Sequence, residues 1–263
     1  MTTQIIAVVN QKGGVGKTTT TVNLAACLAA VKRRVLLVDL DAQGNATMGV
    51  GVEKNSGHHT IRDVLLEKVS PAAAIQKLEG LKLSLLASNA DATEAEIRLR
   101  DLAAGDFALK SALAEVQADY DYILLDCPPA LSKLTINALV AATSVLIPMQ
   151  CEYYALEGLA AISDTLAKIK KAINPGLEID GVLRTMFDPR NNLANEVSAQ
   201  LAQHYGEKLY RTVIPRNVRL AEAPSHGLPI IAYDPASSGA KAYLALTGEM
   251  LRRHDGGQMR IAH

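Results

Sequence analysis

Short apolar runs, several of them rich in β-branched residues, recur along the chain and alternate with segments of helical periodicity. The apolar runs predict strands at Ile5–Val9, Val35–Asp39, Leu81–Ala87, Tyr122–Asp126, Ser144–Pro148, Ile179–Met186 and, with a weaker signal, Leu209–Ile214. The periodic segments predict helices at Thr18–Val31, Ile61–Leu66, Pro71–Lys77, Asp91–Arg100, Phe107–Gln117, Ser132–Ala142, Tyr154–Ile173, Leu193–Tyr205 and Ser237–Arg253. Strands that alternate with helices indicate βαβ units. The pattern therefore predicts an α/β fold, with one doubly wound, mostly parallel twisted sheet and helices on both faces.

The composition fits a core of small and branched aliphatic side chains. The 263 residues are 49% hydrophobic and 21% charged, and they include no tryptophan and two phenylalanines. A core built on Ala, Leu, Ile and Val suits buried parallel strands covered by Ala-rich helices. We predict a single domain over residues 1–254, followed by a tail at 255–263 whose glycines and few apolar groups favour fraying.

Charge and cysteine usage narrow the class of protein. The formal net charge is zero, so the whole molecule predicts neither nucleic-acid nor membrane attraction, although a local basic patch stays open. The widely spaced Cys27, Cys127 and Cys151 argue against a disulfide framework or a zinc site and favour small apolar core residues. The N-terminus lacks the features of a signal peptide, and no apolar stretch approaches the ~20 residues of a membrane span. We therefore expect a cytoplasmic protein.

A glycine-rich segment follows the first predicted strand and opens the first predicted helix. Residues 11–18 read Gln-Lys-Gly-Gly-Val-Gly-Lys-Thr, and a phosphate-binding loop requires this strand–loop–helix context. Lys17 is spaced to reach the β- and γ-phosphates, and the Thr18 hydroxyl is spaced to bind Mg²⁺. A glycine-rich surface turn, the alternative, would leave both lysines of the segment without a role. We predict an ATP and Mg²⁺ site that uses Lys12, Gly13, Gly14, Val15, Gly16, Lys17, Thr18 and Thr19.

The loop departs from the usual Gly-x-x-x-x-Gly-Lys-Ser/Thr pattern, since Gln11 stands where the first glycine is expected. Lys12 instead opens the variant called deviant Walker A. With this variant, the chain resembles the ParA/Soj chromosome-partitioning ATPases, in the group that includes MinD and the nitrogenase iron protein. The segment Asn-Gln-Lys-Gly-Gly-Val-Gly-Lys-Thr-Thr-Thr at residues 10–20 is close to word for word that of ParA. The resemblance extends from Ile5 to about Leu251.

Two apolar runs end in aspartate, and each is followed by a loop. Asp39 ends one run two residues before Asp41, and Asp126 ends another just before Cys127-Pro128-Pro129. The carboxyl ends of parallel strands converge on the ligand crevice of an open sheet. A lone aspartate in such a place is commonly a helix cap or a loop residue, but two of them beside a phosphate loop favour a metal site.

The resemblance assigns roles to these carboxylates. Asp126 resembles the Walker B aspartate, which holds Mg²⁺ through water, and Asp41 resembles the switch I aspartate, which orients the attacking water. Asp39 is expected to support the loop and the metal from behind. The predicted metal set is therefore Thr18, Asp39 and Asp126. The family usually has proline where this chain has Ala42, a change that removes no chemical group.

The extra lysine points to a dimer through the resemblance alone. In the family, the lysine that corresponds to Lys12 reaches across a dimer interface to the partner's phosphates, as an arginine finger supplied in trans does. Nucleotide state would then control dimerisation. Spacing by itself does not say whether Lys12 acts on its own nucleotide or on the partner's. The predicted catalytic residues are Lys12, Lys17 and Asp41.

Residues 214–227 match a second ParA stretch, in which proline and asparagine flank the adenine. The resemblance implies this role for Pro215 and Asn217, and a capped turn before a short helix is compatible with it.

Basic residues are in local excess between positions 184 and 219, where composition alone favours a solvated face. In ParA-like proteins, arginines that match Arg190 and Arg219 bind DNA without sequence preference, so we predict a salt-sensitive contact with phosphates.

The resemblance implies a partitioning ATPase. ATP would drive homodimerisation, the dimer would bind double-stranded DNA across the nucleoid, and a ParB-type partner would stimulate hydrolysis and release. The same cycle with a different cargo, such as a plasmid, is an open alternative that no residue decides. A MinD-like membrane switch would need a C-terminal amphipathic helix, but Gly256 and Gly257 are expected to break the tail. An electron-transfer reductase would need a second cysteine near Cys127, and Cys151 follows a separate strand.

Overall fold

The computed structural model describes residues 2–259, with side chains for residues 2–255. A central eight-stranded sheet has the order β3-β4-β2-β5-β1-β6-β7-β8. The strands are β1 Gln4–Val8, β2 Val35–Asp39, β3 Gln76–Leu78, β4 Leu83–Leu86, β5 Tyr122–Asp126, β6 Ser144–Gln150, β7 Glu178–Phe187 and β8 Leu209–Pro215. Only the short edge strand β3 pairs antiparallel, and every other pairing between these strands is parallel. The α/β fold with a mostly parallel sheet is confirmed.

Helices cover both faces of this sheet. They are α1 Lys17–Ala30, α2 Asn45–Gly49, α3 Ile61–Leu65, α4 Pro71–Ala74, α5 Ala92–Asp101, α6 Ala108–Ala114, α7 Lys133–Ala141, α8 Ala155–Ala172, α9 Asn192–Tyr205, α10 Val218–Glu222, α11 Ile230–Tyr233 and α12 Ser238–Met259. Successive residues of a strand face opposite sides, so Ile5 and Ala7 pack into one core with α5–α8 while Ile6 and Val8 pack into the other with α1 and α12. The central strands are therefore covered by apolar side chains on both sides.

The strand register brings the chemistry to one edge. Val8 at the end of β1 pairs with Asp126 at the end of β5, and Asp126 also pairs with Asp39 at the end of β2. The phosphate loop leaves β1 at the same edge and enters α1. Two aspartates and the glycine-rich loop thus start from adjacent positions, as an open parallel sheet requires.

Two predicted elements are wrong in their extent. The helix expected over residues 71–77 ends at Ala74, because the following residues pair with β4 as strand β3, and this tertiary pairing overrides local propensity. The last helix was expected to end at Arg253, with a break at the paired glycines, but α12 continues to Met259. A long helix packed on the sheet tolerates glycine near its end at a cost of ~1 kcal/mol. Residues 260–263 of the predicted tail lie outside the described residues.

The three cysteines are free and buried, and each packs in one of the two apolar cores, as expected from their spacing. Burial raises the pKa of the Cys151 thiol to about 11 and that of Cys127 well above its usual value. Thiols that stay protonated are poor nucleophiles and poor metal ligands.

No helix in the described part of the chain has both the length and the hydropathy that a bilayer crossing requires.

Gly181 in β7 lies so close to Tyr210 that a larger residue at this position is expected to destabilise the fold. A Cβ at this position would lie 2.5 Å from Cε2 of Tyr210, whose side chain is fully buried. We expect Gly181→Ala to lower the free energy of unfolding by about 1–3 kcal/mol, since a buried ring cannot move aside without strain. Gly158→Ala in α8 is the matched control, because a Cβ there meets nothing within 4 Å and helix propensity favours alanine by about 0.5–1 kcal/mol. Urea denaturation of both variants measures the difference, and equal stabilities would contradict the packing account.

Candidate active site

The phosphate loop has the backbone of an anion-binding cradle. Gly14 and Gly16 adopt left-handed conformations, with φ of 76° and 88°, which side-chain-bearing residues rarely adopt. Gly16 is the N-cap of α1, so the positive end of the helix dipole faces the loop. Within the described structure, the N–H groups of Gly13, Gly14 and residues 16–19 have no backbone acceptor. A run of unpaired N–H groups at a helix N-terminus is suited to bind phosphate oxygens.

Asn10 shapes the start of the loop, a role that the motif alone did not assign. Its side-chain amide donates to the carbonyl of Pro148 at 2.8 Å, and its Oδ1 accepts the N–H of Lys12 at 2.9 Å. The asparagine is 9% exposed. It therefore ties the loop to strand β6 before the glycines begin.

Lys17 lies at the floor of the cradle. Its Nζ donates to the backbone carbonyl of Lys12 at 3.1 Å, and the residue is 7% exposed. Burial lowers the pKa of Lys17, while the nearby Asp126 carboxylate acts in the opposite direction. A partly desolvated ammonium with one neutral acceptor gains strongly from anionic phosphate oxygens.

Asp126 is fully buried and bonded to two hydroxyls of helix α1. Its Oδ2 accepts from Thr18 Oγ1 at 2.8 Å, and its Oδ1 accepts from Thr21 Oγ1 at 3.0 Å. Thr18 is the predicted Mg²⁺ ligand, so the structure brings the hydroxyl and the carboxylate of the predicted metal set together. Thr21 was missed from the sequence, because a threonine one turn into a helix carries no motif signal.

Asp39 supports the loop that follows strand β2. Its Oδ2 accepts from both the N–H and the hydroxyl of Thr47 at 2.8 Å, and its Oδ1 accepts the N–H of Asp41 at 3.0 Å. The Thr47 hydroxyl in turn accepts the N–H of Ser88 at 3.0 Å. Asp39 thereby fixes both ends of the loop at residues 40–47 and connects it to the chain after β4. The contributions of Thr47 and Ser88 arise from tertiary contacts and were not predicted.

Asp41 lies half-buried at the mouth of the site. Its Oδ1 accepts the N–H of Gln43 at 2.9 Å, which forms a tight turn. Gly44 follows with φ of 60°, and a Cβ there would lie 2.7 Å from the carbonyl of Ser88. The turn therefore holds its shape without the proline that the family usually has at position 42, and Ala42 packs partly against the core instead.

The buried carboxylates fit a divalent cation. Burial raises the pKa of Asp39 and of Asp126, and the mutual repulsion of the two carboxylates raises that of Asp126 further. Hard oxygen ligands of this kind suit Mg²⁺, which keeps several waters and takes one or two carboxylates plus substrate phosphates. Thr18 and Asp126 would hold the ion, with Asp39 behind them, and Mg²⁺ would neutralise charge on the phosphates.

Lys12 turns away from the cradle that its own backbone helps to form. Its carbonyl accepts from Lys17, but its ammonium forms an ion pair with Glu152, beyond the end of β6. Both side chains are exposed, by 57% for Lys12 and 50% for Glu152.

A pocket of ≈ 300 Å³ adjoins the phosphate loop on the side of β7 and β8. Its lining includes Gly16 and Thr19 from the loop and helix α1, together with Pro215 at the end of β8 and Asn217 just beyond it. The Asn217 side chain caps α10 by accepting the N–H of Leu220 at 3.2 Å, and it donates to Ser238 at 2.7 Å. The structure thus places both predicted base contacts beside the predicted phosphate site. Their roles toward adenine remain predictions.

Arg190 and Arg219 lie after the neighbouring strands β7 and β8. Arg190 is 88% exposed and forms two hydrogen bonds with Asp188, at 2.9 and 2.8 Å. Arg219 is 54% exposed and pairs with Glu222 at 2.8 Å and with Asp234 at 3.5 Å. Both predicted DNA contacts are therefore accessible, but each guanidinium already has a carboxylate beside it.

Fold and site together define a phosphate-loop ATPase, and comparisons with known proteins agree. A family model described as an AAA domain matches residues 3–179. The chain is 51% identical to the sporulation initiation inhibitor protein Soj of Bacillus subtilis, over 94% of this chain and 98% of Soj. It is 47% identical to the chromosome partitioning protein ParA of Myxococcus xanthus, over 95% of this chain and 88% of that protein.

A solved structure supports the cofactors. Cobyrinic acid a,c-diamide synthase from Mycobacterium smegmatis, with a bound ATP analogue and magnesium, superposes with a TM-score of 0.85 at 36% identity, covering 97% of each chain. The chain belongs to the ParA/Soj family of chromosome-partitioning ATPases. It is an ATP hydrolase that uses ATP and Mg²⁺.

Proposed function

We propose that ATP joins two copies of this chain and that the dimer holds double-stranded DNA without sequence preference until a ParB-type partner stimulates hydrolysis. The observation that carries this proposal is the position of Lys12. Its ammonium is directed to Glu152 at the surface instead of to its own cradle. A lysine so placed is available to the phosphates of a second copy.

Lys12 can exchange Glu152 for another anionic partner at a small cost in free energy. An ion pair between exposed side chains contributes about 0–1 kcal/mol, because water screens the charges and both chains lose rotamer freedom. The triphosphate of the ATP bound to a second copy carries more charge than the Glu152 carboxylate and excludes more water, so it competes well with Glu152 for the ammonium. Binding of ATP would therefore favour a dimer, and hydrolysis would remove part of that advantage.

The two exposed arginines support a nonspecific DNA contact. Arg190 and Arg219 lie at the same edge of the sheet as the nucleotide site, and both are largely exposed. Contacts from arginine to phosphate carry no sequence information and release counterions, so affinity falls as salt rises. Since Asp188 and Glu222 compete for these guanidinium groups, one copy binds DNA weakly and a dimer doubles the number of contacts.

Substitution of these arginines tests the DNA contact. We expect Arg190→Ala and Arg219→Ala each to lower DNA affinity and to reduce the slope of log affinity against log salt by roughly one per arginine in contact. Arg100→Ala is the matched control, because Arg100 is 65% exposed and also pairs with a carboxylate, Glu96. Fluorescence anisotropy with duplex DNA gives the slopes in ATP and in ADP, and light scattering of the same samples gives the mass of the protein. Slopes that match wild type in both arginine variants would contradict the assignment.

The names of the relatives support a proposal for the partner and the cargo. Two of them bear the names Soj and ParA, and the latter is described as a chromosome partitioning protein. We infer a ParB-type stimulator, a chromosomal cargo and association with the nucleoid. Adding a ParB-type protein with its DNA site is expected to raise ATP turnover, and a colorimetric phosphate assay measures this. No stimulation by the ParB-type protein of the same genome would sink the inference about the partner.

A further inference from the structure

A threonine of strand β7 reaches the phosphate loop from the opposite half of the chain. Thr185 is 2% exposed, and its Oγ1 donates to the backbone carbonyl of Val15 at 2.8 Å. The two residues are 170 positions apart. A buried hydroxyl that is used on a loop carbonyl indicates a role in setting the loop backbone.

The Val15 carbonyl belongs to the peptide unit that carries the N–H of Gly16. In a planar trans peptide, the carbonyl and the N–H point in opposite directions. Because Thr185 holds the carbonyl towards β7, the N–H of Gly16 points away from the strand, towards the cradle. No protein acceptor in the described structure takes this N–H.

Packing and helix geometry support the same arrangement. A Cβ on Gly16 would lie 3.8 Å from the methyl carbon of Thr185, so the threonine also lies against the glycine. The N–H of Thr20 donates to the carbonyl of Gly16 at 2.9 Å, as in the first turn of a helix. The carbonyl of Val15, one residue earlier, is instead bonded to the Thr185 hydroxyl.

We propose that Thr185 is a positioning residue for the nucleotide polyphosphate, since its hydroxyl fixes the Val15–Gly16 peptide with the N–H towards the β-phosphate. Without this bond, rotation of the peptide would turn a carbonyl oxygen towards the phosphates, where it repels them. The role rests only on ATP binding and is independent of dimerisation and DNA. Thr185 also lines the pocket that contains Pro215, so it lies where the base and phosphate regions meet.

Thr185→Val and Thr185→Ser separate the hydroxyl from the shape of the side chain. Valine keeps the branched shape and loses the hydroxyl donor, whereas serine keeps the hydroxyl and loses the methyl group. We expect Thr185→Val to weaken binding of Mg²⁺–ADP about tenfold and to raise KM for ATP more than it changes kcat. Thr185→Ser is expected to bind nearly as wild type does. Isothermal titration with Mg²⁺–ADP, without DNA or partner, measures the affinities.

Thr247→Val is the matched control. Thr247 is 1% exposed and its hydroxyl also donates to a carbonyl, that of Tyr243, at 2.8 Å, but within α12. It is expected to change thermal stability and leave ADP affinity unchanged. ADP affinity in Thr185→Val within twofold of wild type would overturn the proposal and leave Thr185 a purely structural role. If Thr185→Val fails to fold, Thr185→Ala against Thr185→Ser gives the same comparison, and equal affinities of that pair would overturn it too.

Discussion

Replacing Lys17 with alanine is expected to abolish detectable nucleotide binding. The ammonium is buried at the floor of the cradle and has one carbonyl partner in the protein. Its charge-assisted bonds to phosphate oxygens contribute about 1.5–3 kcal/mol each, so the loss of two such bonds weakens affinity by a factor of about 100 or more. Titration with a fluorescent ADP analogue measures this affinity.

The same substitution is expected to leave the fold intact. Burial already lowers the pKa of Lys17, which means that the charged form is disfavoured at this position in the absence of phosphate. Removing it therefore does not take away a large stabilising interaction. Lys110→Ala, at an exposed position of α6, is the control for loss of a lysine. A Lys17→Ala protein that melts near wild type and still binds ADP would contradict the assignment.

Asp41→Ala is expected to preserve ATP binding and to lower hydrolysis by a factor of about 100 or more, as loss of a residue that positions the attacking water does. The carboxylate lies at the mouth of the site, on a turn held by Asp39 from below. If ATP drives dimerisation, the variant accumulates as a DNA-bound dimer. Phosphate release gives the rate, and co-sedimentation with DNA at low salt gives the retention.

The control for this variant is Asp41→Asn. Asparagine retains an oxygen that can accept the N–H of Gln43, so the turn is kept while the carboxylate is lost. Hydrolysis at the wild-type rate in Asp41→Asn would limit Asp41 to a structural role in the turn. Loss of hydrolysis without any retention on DNA would instead contradict the proposed DNA-bound dimer and leave the catalytic assignment standing.

The fold could be predicted from the sequence because its central strands are buried on both faces. Runs such as Ile123–Leu125 leave little choice of structure, and the strands predicted from them overlap those observed. The short helices α2 and α11 and the edge strand β3 were not predicted, and α10 was anticipated only as a short helix after a capped turn. Each is five residues or fewer, and elements of this length depend more on tertiary contacts than on their own periodicity.

The predicted site residues are brought together where glycine, lysine and aspartate carried a motif. The residues that hold them were not found, namely Thr21, Thr47, Ser88 and Thr185. Hydroxyl residues are common in buried strands and helices, and only their partners reveal their use. Thr185 follows Arg184 within the predicted strand, so the pattern of polar and apolar residues does not single it out. The ion pair between Lys12 and Glu152 could not be predicted from the sequence, because this pair joins two loops that lie far apart along the chain.

The strand order also governs when the protein first becomes able to hold ATP during its synthesis. The phosphate loop leaves the ribosome before β5 and β6 do, yet β1 lies between these two strands, starting with the pairs Gln4↔Tyr122 and Ile6↔Ser144. The hydrogen bond from Thr185 to the carbonyl of Val15 in the phosphate loop requires a part of the chain that is made still later. Nascent chains therefore carry the complete motif for a long time without a binding site, and their pairing is of the slow, non-local kind. We expect cellular ATP to stabilise finished molecules and to give growing chains no protection.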